Sequence, residues 1–556
     1  MALKDLLTTL TGNTPVVLEL DLARGVLTAR PSSPLQAVQL INSPTLEAVR
    51  VHLAAAATDD RVLGLIVHAT PTGMSIAHAE EIADLIEKFG RSKPTMAWAE
   101  SYGELAHGIV GYHIAAAARQ VWVQPTGMLA IDGLELGILL LRGLLEKAGV
   151  EPQFGQRHEY KTAADQYQAD HVTDANREMM TRLGASFLDT IVTSVARRRG
   201  IAVEQVRDGV NGAPVEPARA LELGLIDHVG YRDEAYAAVL REWNAAPENL
   251  LYVHRYTNRA AIARNLRPGR DKVAVVTLRG AIVTGRGARS LGGQSAGSDV
   301  IDEQLRTALR DDNVKAVVFS VDSPGGSAVA SDFIRRGVVR LKEAGKPVVA
   351  QMGSYAASGG YYVSMAANEI VAHATTLTGS IGVLAGKMVT AGLYDKLGLI
   401  RESLTFGEAA GTFSAAQPFT EADWERLNRW LDRIYLDFTT LAAGDRGLDY
   451  EDLESKARGR VWTGADAVER GLVDHIGGLG LAIERACDLA GLDRDRISLS
   501  HVGSQGMLST ILPANSSERA TGGAELPTTD ALLTSMAARV GLVGTGALSM
   551  PLVRVG

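Results

Sequence analysis

The chain has 556 residues, of which 46% are hydrophobic and 22% are charged, and its formal net charge is −8. This is the composition of an ordinary globular protein, which argues against a disordered, collagen-like or nucleic-acid-binding chain. Cys487 is the only cysteine, so an internal disulfide, a cysteine zinc site and an iron–sulfur cluster are excluded.

The first 25 residues carry charges that interrupt every apolar stretch, among them Lys4, Asp5 and Asp21. A secretory signal or a membrane helix needs a longer apolar run than these interruptions leave. We therefore expect no targeting signal and no membrane anchor in this sequence.

A long internal duplication follows. RVLGLIVHATPTG at residues 61–73 matches NVKAVVFSVDSPGG at 313–326, and ALELGLIDHVG at 220–230 matches AVERGLVDHIGG at 467–478. Within each copy, short β-branched runs alternate with segments of helical periodicity, which is typical of βαβ units in a parallel sheet. The sequence predicts an α/β fold present twice.

The predicted domain organisation follows from this repeat. We expect one domain over residues 15–240, a polar linker over 241–270 and a second domain over 271–495. Residues 503–556 are rich in Gly, Ser, Thr and Ala, which predicts a low-complexity tail to which we assign no role.

Two glycine-rich turns of the second copy carry the strongest chemical signal. DSPGG ends a predicted strand, and SGGYY places Ser358 directly before paired glycines. Glycines let backbone N–H groups approach a ligand oxygen, as an oxyanion hole requires. The N–H groups of Gly325 or Gly326 and of Gly359 are therefore candidates to converge with Ser358 on one carbonyl; the alternative is that these glycines only permit tight packing.

A serine nucleophile needs a base, and histidine is the usual candidate. His373 lies in a predicted strand, and His475 belongs to a GLVDH segment that recurs as GLIDH around His228. Repetition in both copies favours a structural role for His475 and His228 and for the neighbouring Asp227 and Asp474, and the position of His373 in a strand argues against it as the base.

Comparison of the two copies indicates that the base is a lysine rather than a histidine. Aligning GIVGYHIAAAA with ASGGYYVSMAA puts Ile109 opposite Ser358, and a gapless alignment further on puts Lys161 opposite Glu408. Each copy thus holds one member of a Ser/Lys pair, as a single composite site would require, although independent drift of the two copies gives the same pattern. Lys161 would act as a base only if desolvation lowered its pKa.

The segments YAASGGYY, DSPGG, TGSIGV and YKTAADQY resemble the long, duplicated type of signal peptide peptidase A, also called protease IV. The resemblance implies tandem ClpP/crotonase-like domains. It also implies Ser358 as nucleophile, Lys161 as general base, and Gly359 with Gly325 or Gly326 as the oxyanion hole. No metal, nucleotide or other cofactor is expected.

The same resemblance implies a serine endopeptidase that degrades cleaved signal peptides as a membrane-associated homotetramer. Because the sequence shows no anchor, we expect it to be cytoplasmic or peripheral at the inner face of the membrane. Ser380 is a candidate to hold the lysine through its hydroxyl group, unless it serves only the TGSIG turn. Two other functions stay open, a crotonase-type acyl-CoA enzyme and a catalytically degenerate membrane-associated scaffold.

Overall fold

The computed structural model describes residues 14–27, 43–503 apart from 72, 105, 257–270, 288, 291–292 and 495, and then 548–550 and 554–555. The chain divides into two compact units, Met1–Glu135 with Phe187–Pro268, and Leu136–Ser186 with Gly269–Val555. A segment of the first sequence copy, residues 136–186, therefore belongs to the second unit. The domain boundaries expected from the repeat stay a prediction, and part of the linker and most of the tail lie outside the described residues.

The first unit is built on a six-stranded parallel sheet. Its strands are, in spatial order, His228–Val229, Gln120–Val123, Thr95–Ala99, Val62–His68, Val16–Asp21 and Leu250–Tyr252. Both faces of the central strands are buried, because Leu65 and Val67 pack in one apolar cluster and Ile66 packs in another. The helices of this unit are Leu46–Ala56, Ile76–Gly90, Ile109–Ala115, Val203–Asn211, Pro217–Glu222 and Arg232–Glu242, with 3-10 turns at Leu22–Arg24, Pro247–Asn249 and Val253–Arg255.

The second unit contains an eight-stranded sheet. Its main path runs Val461–Thr463, Leu377–Gly379, Val348–Ala357, Val314–Ser323, Lys272–Arg279 and Ser498–Val502, and Glu369–Ala372 pairs with both Val348–Ala357 and His475–Ile476. The pairing is parallel except where Val461–Thr463 meets Leu377–Gly379. Its helices are Ser298–Arg310, Ala328–Glu343, Gly359–Ser364, Ala391–Lys396, Glu421–Arg446, Tyr450–Lys456, Gly464–Glu469 and Leu479–Ala490.

The described residues also contain further helices, short strand pairs and a four-stranded sheet. The remaining helices are Arg142–Ala148, the 3-10 turn Thr162–Ala164, Asp165–Gln168 and Asp174–Arg199. Short strand pairs join Glu151–Gln156 to Leu384–Val389, Arg289–Ser290 to Gly293–Gln294, and Leu136–Gly137 to Arg554–Val555. A four-stranded sheet contains Ala296–Gly297, Ile282–Val283, Gly325–Gly326 and Leu548–Ser549 in that order. Among the described residues, no helix has both the length and the apolar character needed to cross a membrane.

The repeated GLIDH and GLVDH turns make the same contacts in each unit. Asp227 accepts a hydrogen bond from the Arg199 guanidinium at 2.7 Å, and Asp474 accepts one from Arg446 at 2.7 Å. Each carboxylate also accepts a backbone N–H from a strand of its own sheet. These contacts tie the turn to the sheet, which is the structural role that the repetition indicated for the two aspartates.

Candidate active site

Ser358 occupies a strained turn between a strand and a helix of the second unit. It follows strand Val348–Ala357 and precedes helix Gly359–Ser364, with φ of 55° and ψ of −114°. Its N–H donates to the Gly379 carbonyl at 2.8 Å. A non-glycine residue at positive φ is costly and persists only where the surroundings impose it, as they often do at functional sites.

The corresponding turn of the first copy is relaxed. There the residue aligned with Ser358 is the first residue of helix Ile109–Ala115, and it is not among the residues with positive φ. Ile109, aligned with Ser358, is buried at 3% exposure. The first copy has therefore lost both the hydroxyl and the unusual backbone that presents it.

A strand pair brings Lys161 into the second unit. Glu151–Gln156 runs antiparallel to Leu384–Val389, with Gln156 opposite Leu384. Immediately after the pair, the Arg157 N–H donates to the Val383 carbonyl at 3.0 Å. The first-copy segment is thus fixed by backbone hydrogen bonds to a second-copy strand a few residues before the lysine. Glu408, aligned with Lys161, is exposed.

Lys161, Ser358 and Ser380 meet in the interior. The Lys161 Nζ atom lies 2.7 Å from Ser358 Oγ, 2.9 Å from Ser380 Oγ and 2.9 Å from the Ser380 carbonyl oxygen. All three residues have an exposed fraction of 0%. Burial lowers the pKa of Lys161 well below its ordinary value, because desolvation disfavours the ammonium form.

The three oxygen neighbours match the bonding capacity of a neutral amine, which has two N–H groups and one lone pair. The N–H groups can donate to the carbonyl and hydroxyl oxygens of Ser380. The lone pair is then left for the Ser358 hydroxyl proton at 2.7 Å. The arrangement can therefore take a proton from the serine.

Ser380 also takes part in the TGSIG turn. Its two possible roles, holding the lysine and forming this turn, are therefore compatible. Its φ is 51°, next to Gly379 at 74°. Its N–H donates to the Arg460 carbonyl at 2.7 Å. These constraints hold both of its oxygens toward the lysine.

Two glycines around the lysine were missed by the sequence analysis. A Cβ on Gly459 would lie 2.6 Å from the Lys161 Cβ, and a Cβ on Gly382 would lie 2.7 Å from the Gly459 Cα. Gly459 has φ of +81° as well. Only glycine lets the chain pass this close to the lysine, and nothing in a single sequence distinguishes this glycine from others.

The two glycine-rich turns are in backbone contact. A Cβ on Gly359 would lie 3.1 Å from the Gly326 nitrogen and 3.1 Å from the Gly325 Cα. The structure therefore brings the predicted oxyanion-hole glycines together beside Ser358. The Gly325 N–H donates to Ser323 Oγ at 3.1 Å, so this group is already engaged.

The histidines considered as bases make other contacts. His475 Nε2 lies 3.2 Å from a Glu369 carboxylate oxygen. The ring of His228, its counterpart in the first copy, packs against the tilted ring of Trp122 with the ring centroids 4.3 Å apart. His373 is fully buried, and among the residues that the structure describes it is Lys161 that lies within hydrogen-bond reach of Ser358 Oγ.

The sequence comparisons identify the family. The model of peptidase family S49 matches residues 87–245 and 340–493, one region in each sequence copy and together more than half of the chain. The chain belongs to peptidase family S49. The predicted serine-type peptidase is thereby confirmed, as is an α/β fold with a mainly parallel sheet in each of the two units, and the crotonase alternative is not favoured.

Two relatives of the chain carry names that match the family predicted from the sequence. The chain is 32% identical to the chloroplastic serine protease SPPA of Arabidopsis thaliana, over 77% of this chain and 63% of the relative. It is 28% identical to Protease 4 of Haemophilus influenzae, over 79% of this chain and 72% of the relative. The chain thus spans a little under two thirds of the length of the plant protein.

Solved structures give weaker likenesses. A ClpP1 variant from Listeria monocytogenes matches 38% of this chain and 94% of its own, with a TM-score of 0.25 and 18% identity. A membrane-bound stomatin-specific protease matches 43% of this chain and 100% of its own, with a TM-score of 0.28 and 15% identity. The family assignment rests on the sequence matches.

Proposed function

We propose that this protein is a serine endopeptidase in which Ser358 is the nucleophile and Lys161 is the general base. The observation that carries this proposal is the 2.7 Å distance between Lys161 Nζ and Ser358 Oγ, with both side chains fully buried. Desolvation lowers the pKa of the buried Lys161 amine and so favours its neutral form, which can accept the hydroxyl proton.

The reaction runs in two halves. Lys161 takes the proton of Ser358 as the hydroxyl oxygen attacks the peptide carbonyl, and the ammonium then protonates the leaving amine. The N–H groups of Gly359 and of Gly326 or Gly325 stabilise the negative oxygen of the tetrahedral intermediate. Water then hydrolyses the acyl-enzyme, with Lys161 again as the base. Every step uses groups of this chain.

We propose that the substrates are signal peptides that have been cleaved from their preproteins. The matches to relatives named SPPA and Protease 4 support this, as does a buried nucleophile, which an extended peptide can reach more readily than a folded domain. A synthetic apolar signal peptide is expected to be cleaved, and a tightly folded protein of similar sequence content is expected to survive. Mass spectrometry of the products tests this; equal cleavage of both, or of neither, would contradict the proposal.

We also propose that the protein is a homo-oligomer, a tetramer by family resemblance, at the inner face of the membrane or in the cytoplasm. Large apolar side chains lie exposed between residues 397 and 413, including Ile400 at 100%, Phe406 at 90% and Leu404 at 79%. Exposed apolar groups of this kind mark association surfaces. Sedimentation velocity tests the oligomer, and a monomer would refute it. Co-sedimentation with lipid vesicles separates the two locations, because binding is expected only at the membrane face.

Ser380 is proposed as a positioning residue, and its role predicts a change in pH profile. In a Ser380→Ala variant, kcat is expected to fall about tenfold or more, because one acceptor that orients the amine is lost. The acidic limb of kcat/KM is expected to move to lower pH, since the ammonium form loses a hydrogen-bond acceptor and the pKa of Lys161 falls further.

A matched control is Ser364→Ala, which removes another fully buried serine hydroxyl that bonds the Gly360 carbonyl at 2.8 Å. Its acidic limb should stay where it is in the parent protein. If the two variants have the same pH profile, Ser380 has no special relation to the lysine.

A further inference from the structure

The Arg460 side chain contacts the turn that carries the lysine, and the proposed reaction gives it no role. Its guanidinium lies over the ring of Tyr160, the residue before Lys161, at 4.6 Å from the ring centroid. It lies over the ring of Trp462 as well, at 4.5 Å. A guanidinium is attracted to the faces of aromatic rings, so it holds both rings in place. Tyr160 is thereby fixed to the strand Val461–Thr463.

A carboxylate links the same arginine to the same tyrosine a second time. One oxygen of Glu178 accepts a hydrogen bond from the Tyr160 hydroxyl at 2.8 Å, and the other lies 2.8 Å from Arg460 Nη1. The Glu178 side chain is 56% exposed, so this ion pair alone contributes little, whereas the Arg460 side chain is only 17% exposed. The linkage therefore depends on the ion pair and the ring contacts together.

The backbone of Arg460 holds the turn on the other side of the lysine. Its carbonyl oxygen accepts the Ser380 N–H at 2.7 Å. Ser380 in turn places its hydroxyl oxygen and its carbonyl oxygen each 2.9 Å from Lys161 Nζ. One residue thus contacts both the turn that carries the amine and the turn that orients it.

We propose that Arg460 is a positioning residue of the peptidase reaction, which aligns the lysine by holding Tyr160 with its side chain and Ser380 with its carbonyl group. Alignment matters because a displacement of about 1 Å can lower a rate on the order of 100-fold. The inference rests on the proposed function, in which Lys161 is the base.

The first test compares Arg460→Gln with Arg470→Gln in the full chain. Arg470 is a matched control because its guanidinium also lies over the Trp462 ring, at 3.9 Å, while its hydrogen bonds go to Asp466 and Glu469. In Arg460→Gln, kcat is expected to fall about tenfold or more with KM unchanged, because the base is misplaced and substrate binding is not. Arg470→Gln should change neither constant.

The pH profile separates the two variants further. In Arg460→Gln the acidic limb of kcat/KM should move to higher pH, because a looser turn admits water and the pKa of Lys161 rises toward its ordinary value. In Arg470→Gln the limb should stay in place. Equal changes in the two variants, or no change in Arg460→Gln, would overturn the inference.

A double-mutant cycle shows whether Arg460 acts through the tyrosine. The loss of kcat in Arg460→Gln with Tyr160→Leu should be about that of the larger single loss, whereas the losses should multiply in Arg470→Gln with Tyr160→Leu. Multiplying losses in both pairs would contradict the linkage. Tyr160→Phe is a milder variant that removes only the bond to Glu178; kcat should fall about threefold, and an unchanged kcat would count against the proposal.

Hydrogen exchange supplies a readout that does not depend on activity. Amides in peptides covering Lys161 and Ser380 should exchange faster in Arg460→Gln than in Arg470→Gln, and equal exchange would mean that Arg460 does not hold these turns. If the parent protein cleaves no peptide, the proposed function fails, and the exchange rates still decide whether Arg460 fixes the two turns.

Discussion

Replacing Ser358 with alanine is expected to lower kcat/KM for peptide cleavage by about 10⁴-fold or more, because no acyl-enzyme can form without the hydroxyl. The fold should survive, since the Ser358 backbone is held through its N–H by the Gly379 carbonyl and that bond is unaffected. Steady-state cleavage of a fluorogenic peptide measures the loss. Activity within a factor of about ten of the parent protein would show that another group is the nucleophile.

Replacing Ser358 with glycine separates the loss of catalysis from the relief of backbone strain. Ser358 has φ of 55°, which glycine adopts without penalty and alanine does not. Ser358→Gly should therefore be as inactive as Ser358→Ala but more stable by about 1 kcal/mol. Urea unfolding of the two variants measures the difference, and equal stabilities would mean that this turn stores no strain.

Replacing Lys161 with methionine is expected to lower kcat/KM by about 10³- to 10⁴-fold, because Ser358 loses the base 2.7 Å from its hydroxyl. Methionine fills similar apolar volume, so the buried site should not collapse. Peptide cleavage again measures the loss, and activity close to that of the parent protein would remove the lysine from the mechanism.

The same variant tests the pKa of the lysine through stability. The pKa of Lys161 is lowered in the folded state, so between that pKa and the ordinary lysine value the unfolded chain binds more protons than the folded one. The free energy of unfolding of the parent protein, relative to Lys161→Met, should therefore rise with pH across that window. Urea unfolding between about pH 6 and pH 9 measures it, and a constant difference would mean that the lysine is charged when folded.

The chemistry of the site was accessible from the sequence because the two copies differ at complementary positions. Ile109 stands where the second copy has Ser358, and Glu408 stands where the first has Lys161. A duplicated chain supplies its own comparison, so loss in one copy marks the residue kept in the other. The functional roles of both residues remain predictions until they are measured.

Other features depend on contacts that side-chain patterns do not encode. The division of the chain into units follows the pairing of Glu151–Gln156 with Leu384–Val389, which joins segments far apart in sequence through backbone hydrogen bonds. The pairing of Leu548–Ser549 with Gly325–Gly326 is likewise a backbone contact, and composition alone predicted a low-complexity tail there. A glycine is required at position 459 because the chain passes very close to Lys161 there, and this contact is seen only in the three-dimensional structure.

The central claim is that Lys161 activates Ser358, and labelling with a serine-reactive acylating probe tests it most directly. Intact-protein and peptide mass spectrometry of the parent protein should find a single adduct on Ser358, formed at a rate that rises with pH as the lysine becomes neutral. In Lys161→Met, labelling should be about 100-fold slower or more, with that rise absent. An adduct on another residue, or equal labelling rates in the parent protein and Lys161→Met, would contradict the dyad.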